Sequence, residues 1–125
     1  MKAENIKFKA KRLDNGELVE GDLKHSTSYV GIGYPSSAFP DVPIVHRVDP
    51  STVCQFTGLK DCKGKEIFEH DIIHFVGHKP TAEVIWSEDN YAFMVVSEKE
   101  PLYWLPDVLE IGKIERIGNK FDKKK

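Results

Sequence analysis

The fold of this chain depends on one stretch, Gln55-Phe-Thr-Gly-Leu-Lys-Asp-Cys-Lys-Gly-Lys-Glu-Ile-Phe-Glu-His-Asp71. Gly58 and Gly64 bound a polar bend, and glycine adopts backbone angles that residues with a Cβ atom resist. We expect the bend to return the chain so that the apolar residues on both sides of it meet in a core. We therefore assign structural roles to Phe56, Gly58, Gly64 and Asp71, and we expect Asp71 to bond backbone amides.

The N-terminal segment predicts a β-hairpin. Residues 6–13 alternate apolar and charged side chains, which is the period of a half-buried strand. Asn15-Gly16 follows, and this pair is the preferred centre of a two-residue type I′ turn because both positions need positive φ. With these two residues as the loop, Lys9 lies opposite Asp22. We expect acidic partners of this kind to neutralise much of the basic strand face.

The remaining pattern predicts a mostly β chain in three parts. Residues 1–50 form a hairpin and loop region, and five or so short strands between residues 51 and 118 fit a small barrel better than a sandwich. Asp107 is expected to cap one short helical turn that ends at Glu110. Residues 119–125 form a polar tail that we expect to be disordered.

Composition limits the classes of function. The chain has 125 residues, 18 basic and 20 acidic, and a net charge of -2, whereas proteins that track phosphates usually carry a basic excess. A nucleic-acid role must therefore depend on a local patch. The start of the chain lacks the apolar core of a signal peptide, and no apolar run approaches the ~20 residues of a membrane span. We predict a cytoplasmic protein with no membrane association and with Cys54 and Cys62 reduced.

Several segments together resemble the YopX-like family, which is carried mainly by bacteriophages and integrated prophages. The central ones are Val48-Asp-Pro-Ser-Thr-Val, Gln55-Phe-Thr-Gly-Leu-Lys-Asp, Gly64-Lys-Glu-Ile-Phe-Glu and Asp71-Ile-Ile. Weaker likeness covers Ile6-Lys-Phe-Lys-Ala, Ala82-Glu-Val-Ile-Trp and Ile114-Glu-Arg-Ile-Gly-Asn. The resemblance implies a β-rich N-terminal part followed by an SH3-like barrel at residues 51–118. It implies no biochemical activity, because the family has no established one.

One position departs from the family pattern. Where the family usually has Glu-Gly-Asp, this chain has Glu69-His70-Asp71. Glycine there suggests a tight turn or a positive φ, and histidine tolerates that conformation better than most residues. We expect the fold to be kept with His70 in place of glycine.

Metal and catalytic chemistry are not predicted. His70, His74 and His78 recur at a spacing of four, which would stack them on a helix, but the β-branched residues between them favour a strand. There is no Cys-x-x-Cys or paired-histidine motif, so we predict no metal. Acidic residues also crowd this segment, but nothing marks a partner or a cleft for them, and we predict no catalytic residue and no cofactor.

A possible binding surface comprises Tyr34, Phe39, Lys60, Lys63, Lys65, Tyr103 and Trp104. The first two stand in a proline-rich loop, the lysines form a local basic patch, and the last two are adjacent aromatics. On an extended segment Tyr103 and Trp104 point to opposite sides, so we expect one of them to be exposed.

These observations favour a non-enzymatic, oligomeric binding or adaptor protein of phage type. Self-association covers the edges and apolar loops of a small β protein, and a protein partner is expected. The alternative is a nucleic-acid-binding protein of phage DNA or RNA metabolism that uses the three lysines.

Overall fold

The computed structural model describes residues 2–97 and 103–122. In these ranges it contains eleven strands and one α-helix. The strands are β1 (Phe8–Lys11), β2 (Leu18–His25), β3 (Val30–Pro35), β4 (Pro43–Arg47), β5 (Cys54–Lys60), β6 (Glu66–Phe68), β7 (Asp71–Phe75), β8 (Ala82–Ser87), β9 (Ala92–Val96), β10 (Tyr103–Trp104) and β11 (Ile114–Asn119). The helix, α1, spans Leu105–Ile111 and is followed by Gly112. The prediction of a mostly β protein is confirmed.

The strands form two antiparallel sheets. Their strand orders are β4-β3-β2-β1-β5-β6 and β10-β9-β8-β7-β11. A small barrel was expected for residues 51–118, but no closed barrel is present in the described part of the chain. A barrel needs its outermost strands to pair with each other, and in the second sheet β10 and β11 are separated by three strands.

The chain divides into two compact units. The first comprises Met1–Phe56 with Phe121–Lys125, and the second comprises Thr57–Lys120. The core of the first contains the buried residues Ala10, Ile32 and Val48. The core of the second contains Ile67, Ile73, Val84, Val95, Leu105, Val108 and Ile114. The division falls inside β5.

The beginning of the expected disordered tail is part of the last strand. Asn119, the first residue of the expected tail, is the last residue of β11 and is buried. Residues 123–125 lie outside the described residues, as do Pro101 and Leu102 of the aromatic segment.

The N-terminal hairpin is present, but its register differs from the prediction by two residues. Lys9 lies opposite Glu20, where the sequence predicted Asp22. The loop is longer than two residues, because the amide of Arg12 bonds the carbonyl of Glu17. Gly16 has a φ of 72°, whereas Asn15 is not among the residues with positive φ, so the turn is not type I′. A slip of two residues leaves each side chain on its predicted face.

The helix in the structure is longer than the single turn expected, and Asp107 does not cap it. The helix α1 begins at Leu105 after Trp104, whose side chain makes no capping bond, and Asp107 lies inside the first turn. Pro106 favours the start of the helix at this point. The first amides of a helix have no partner within the helix, so the missing N–H of proline costs nothing there, and its fixed φ suits a helix. No helix in the described ranges is long and apolar enough to cross a membrane.

The glycine-bounded bend has the backbone geometry that its sequence indicates. Gly58 and Gly64 have φ values of 85° and 82°. His70 has a φ of 69°, so the backbone there adopts the positive φ that was one of the two conformations expected, the other being a tight turn. Ile73 is buried, whereas Ile72 is only half-buried, because adjacent residues of β7 point to opposite faces.

Replacing Gly64 by Val is expected to lower the free energy of unfolding by about 1–3 kcal/mol, because a β-branched residue is strained at this φ. No atom lies within 4 Å of a Cβ built at Gly64, so the effect isolates backbone strain from crowding. Urea denaturation measures it. Gly64→Asn is the control, since asparagine tolerates positive φ and should lose less. Equal losses in both variants would contradict this explanation.

Candidate functional site

An apolar groove opens in the second unit, between α1 and one face of the five-stranded sheet. Its volume is about 370 Å³. It is lined by Ile73, His74, Phe75, His78, Pro80, Thr81, Ala82, Val95, Ser97, Tyr103, Val108, Ile111 and Ile114. Strand register explains how the sheet forms one wall of the groove. Among the lining residues, Phe75 pairs with Ile114, Ile73 with Ala82, and Val95 with Tyr103. Paired residues of neighbouring strands share a face, so these side chains form one surface.

The helix supplies the other wall of the groove. Leu105 and Val108 are buried against the core, at a spacing of three residues that places them on one side of α1. Ile111 also lines the groove, but 74% of its surface is exposed. Beside it, an ideal Cβ atom on Gly112 would lie 2.7 Å from the Phe75 ring. Glycine at this position therefore lets the aromatic ring approach the end of the helix.

The two adjacent aromatics of β10 lie on opposite faces, as expected. Tyr103 pairs with Val95 and lines the groove, whereas Trp104 pairs with Met94 and is not part of the lining. One exposed aromatic was expected here, and both are exposed, with fractions of 45% and 50%. β10 is the outermost strand of its sheet, so neither face of this short strand is fully covered.

One family model matches almost the full length of the chain. The YopX protein model covers residues 2–124. The chain belongs to the YopX protein family. No curated protein and no solved structure matches it. The family has no known function, so the role of this YopX family protein must be argued from its own side chains.

The predicted lysine patch is partly neutralised in this YopX family protein. Lys63 forms an ion pair with Glu115. Hydrogen bonding to Glu115 raises the pKa of Lys63, and the same bond lowers the pKa of Glu115. Lys60 and Lys65 are exposed on the same bend, but the Asp61 carboxylate lies in it. The net positive charge that a phosphate backbone would meet is therefore smaller than three lysines suggest.

Asp61 is a structural residue that the sequence analysis missed. Its carboxylate accepts hydrogen bonds from the backbone amides of Lys63, Lys65 and Arg116 at 2.8–2.9 Å. Burial acts to raise the pKa of Asp61, but these three bonds outweigh it and lower the pKa. The signal available in the sequence was an aspartate that opens a turn ending in glycine, where a side-chain oxygen often bonds nearby amides.

Asp71 bonds a backbone amide as predicted, and it also has side-chain partners. It is fully buried, and its Oδ2 atom accepts a 2.7 Å hydrogen bond from the amide of Phe68. Oδ1 accepts a 2.8 Å bond from Nδ2 of Asn119, and Nε of Arg116 lies 3.0 Å from Oδ2. Asp71 therefore ties the start of β7 to β11 in the second unit.

The three histidines of the spacing-of-four series do not converge. His70 Nδ1 lies 2.9 Å from Oε2 of Glu83, while His74 Nδ1 donates to the backbone carbonyl of His78 at 2.9 Å. Across residues 2–97 and 103–122, no three histidine, cysteine or acidic side chains form a group able to hold a metal ion.

The two aromatic residues predicted in the proline-rich loop lie in the first unit, but Tyr34 belongs to β3, where it pairs with Ile44. Tyr34 is half-buried, and its hydroxyl forms a 3.0 Å hydrogen bond with Nε2 of His46. Phe39 is 69% exposed. Tyr103 is thus the one member of the predicted binding surface that lines the groove.

Proposed function

We propose that this YopX family protein is a non-enzymatic, oligomeric binding module of phage type whose groove holds an apolar side chain of a protein partner. The observation that carries the proposal is the exposure of Phe75, Tyr103 and Ile111 around a single apolar groove. Exposed apolar residues grouped in this way are typical of interaction sites, whereas isolated ones are normal on any surface.

The size and chemistry of the groove support binding of a side chain or a short segment. Its volume of about 370 Å³ lies at the lower end of the range of ~300–1,000 Å³ that small-molecule sites occupy. The lining is mainly aliphatic and aromatic, with a few polar groups such as Thr81, Ser97 and His78 near the apolar ones. Burial of apolar surface would supply the affinity, at roughly 25 cal/mol per Å².

We also propose that the second unit is a variant of the SH3-like architecture. The support is its topology, because β7, β8, β9 and β10 are consecutive neighbours and β11 returns to pair with β7. In such a meander the return of the last strand covers the free edge of the first.

The groove is tested with the dye anilinonaphthalene sulfonate, whose fluorescence rises in apolar sites. Dilute wild-type protein is expected to enhance the emission, and Tyr103→Ser is expected to reduce the enhancement by removing an aromatic wall. Trp104→Ser is the matched control, because Trp104 is a similarly exposed aromatic on the opposite face of the same strand. The proposal is wrong if the two variants lose emission equally or if neither loses any.

A further inference from the structure

We propose that the side chain that enters the groove is Ile111 of a second copy of this chain. The inference rests on the proposed function, because it names the partner of the same groove. Ile111 lines the groove beside Phe75 and Tyr103, and yet 74% of its surface faces solvent. An apolar side chain that protrudes and an apolar groove that can receive one are therefore neighbours on the same surface.

This juxtaposition meets the requirement of a twofold interface. In such an interface the same patch is used on both copies, so the patch must be complementary to itself. Ile111 of the first copy enters the groove of the second, and Ile111 of the second enters the groove of the first. A protein of unrelated sequence would meet Ile111 only as part of the groove rim, whereas a second copy would use it both at the rim and as the inserted side chain.

The charges beside Ile111 favour the antiparallel arrangement that a twofold axis produces. Glu110 precedes Ile111 and Lys113 follows it, and both are exposed. Asp107 lies on the same side of α1 as Glu110 and Ile111, because residues three and four apart share a helix face. The surface is thus acidic before Ile111 and basic after it. When two copies meet in opposite directions, Glu110 of each lies next to Lys113 of the other.

The first test measures self-association by sedimentation velocity over a range of protein concentrations. Wild-type protein is expected to form dimers, and Ile111→Asp is expected to raise the dimer Kd by about tenfold or more, because a carboxylate enters an apolar groove. Ile117→Asp is the control, since Ile117 is 50% exposed on β11 and does not line the groove. Its Kd is expected to stay near the wild-type value. Circular dichroism melts verify that both variants are folded.

The second test exchanges the charges. Glu110→Lys and Lys113→Glu are each expected to weaken the dimer, because each places like charges opposite one another. Mixing the two variants is expected to restore dimers, since the two lysines of one copy then face the two glutamates of the other. Restoration only on mixing is a result that a purely structural role of these side chains would not produce.

The outcomes separate this inference from the proposed function. A wild-type protein that is monomeric at all concentrations, or a dimer whose Kd does not change with Ile111→Asp, overturns the second-copy inference. If Tyr103→Ser then still reduces dye emission while Trp104→Ser does not, the groove remains a binding site for a different partner. If dimers form through Ile111 but dye emission is insensitive to Tyr103, the groove function as proposed is wrong although the interface exists.

Discussion

Replacing Asp71 by Ala is expected to lower the free energy of unfolding by about 3–5 kcal/mol, one of the largest effects of any substitution in the chain. The carboxylate has no exposed surface, accepts hydrogen bonds from the Phe68 amide and the Asn119 side chain, and lies 3.0 Å from Nε of Arg116. Alanine would remove the nearer acceptor of the Asn119 amide group, which would keep only the carbonyl of Glu69 at 3.4 Å, and would leave Arg116 without the carboxylate beside its Nε atom. Leaving these buried polar groups poorly paired lowers the free energy of unfolding by more than the net contribution of the hydrogen bonds that are lost.

Urea denaturation followed by tryptophan fluorescence measures this effect. If Asp71→Ala does not fold, Asn119→Ala provides a milder variant. Its expected loss is about 1–3 kcal/mol, because the side-chain hydrogen bonds to Asp71 and to the carbonyl of Glu69 are broken. Asp41→Ala is the control, since Asp41 is an exposed aspartate and its removal should change stability by no more than about 0.5 kcal/mol. Losses at Asp71 and Asn119 as small as the loss at Asp41 would show that this buried network does not stabilise the second unit.

Local signals in the sequence predicted the elements of the fold well but not their exact pairing. The alternation before Asn15 identified the N-terminal hairpin, and the preference of Asn-Gly for a type I′ turn gave the wrong register. In the structure Arg12 bonds the side chain of Asp14, and the amide of Glu17 bonds the side chain of Asn15. These local bonds stabilise a longer loop, and dipeptide preferences do not include them.

Positions with demanding backbone geometry were the most predictable part of the chain. Comparison of His70 with the usual glycine of the family indicated a tight turn or a positive φ, and the structure has a φ of 69° there. Asp61 was missed although it lies in the same segment. Its third bond comes from the amide of Arg116, which is 55 residues away in sequence. A pattern of neighbouring residues carries no information about a donor at that distance.

The groove could not be predicted for the same reason. Its walls come from β7, β8, β9, β10, α1 and β11, and it exists only because strand register brings these elements together. Alternation along β10 did indicate that Tyr103 and Trp104 face opposite ways. Which of the two faces carries a groove depends on α1, and the sequence analysis expected that helix to be one short turn.

Replacing Phe56 by Ala is expected to cost about 3–5 kcal/mol, because the ring is a large side chain with only 2% of its surface exposed. Alanine removes the buried ring and leaves a cavity that its neighbours can fill only in part. Lys7 Nζ lies 4.8 Å from the ring centroid, so a cation–π contact worth roughly 0.5–1 kcal/mol is lost as well. Thermal and urea denaturation measure the total.

Phe39→Ala is the matched control for this experiment, because it removes the same ring from a site that is 69% exposed. Its expected cost is no more than about 0.5 kcal/mol. Because the same ring is removed in both variants, the difference between them measures the burial of the Phe56 ring together with its cation–π contact to Lys7. If Phe56→Ala kept the stability of Phe39→Ala and instead lost dimer formation, Phe56 would belong to a recognition surface. The assignment of the segment from Gln55 to Asp71 to folding would then be wrong at its first aromatic residue.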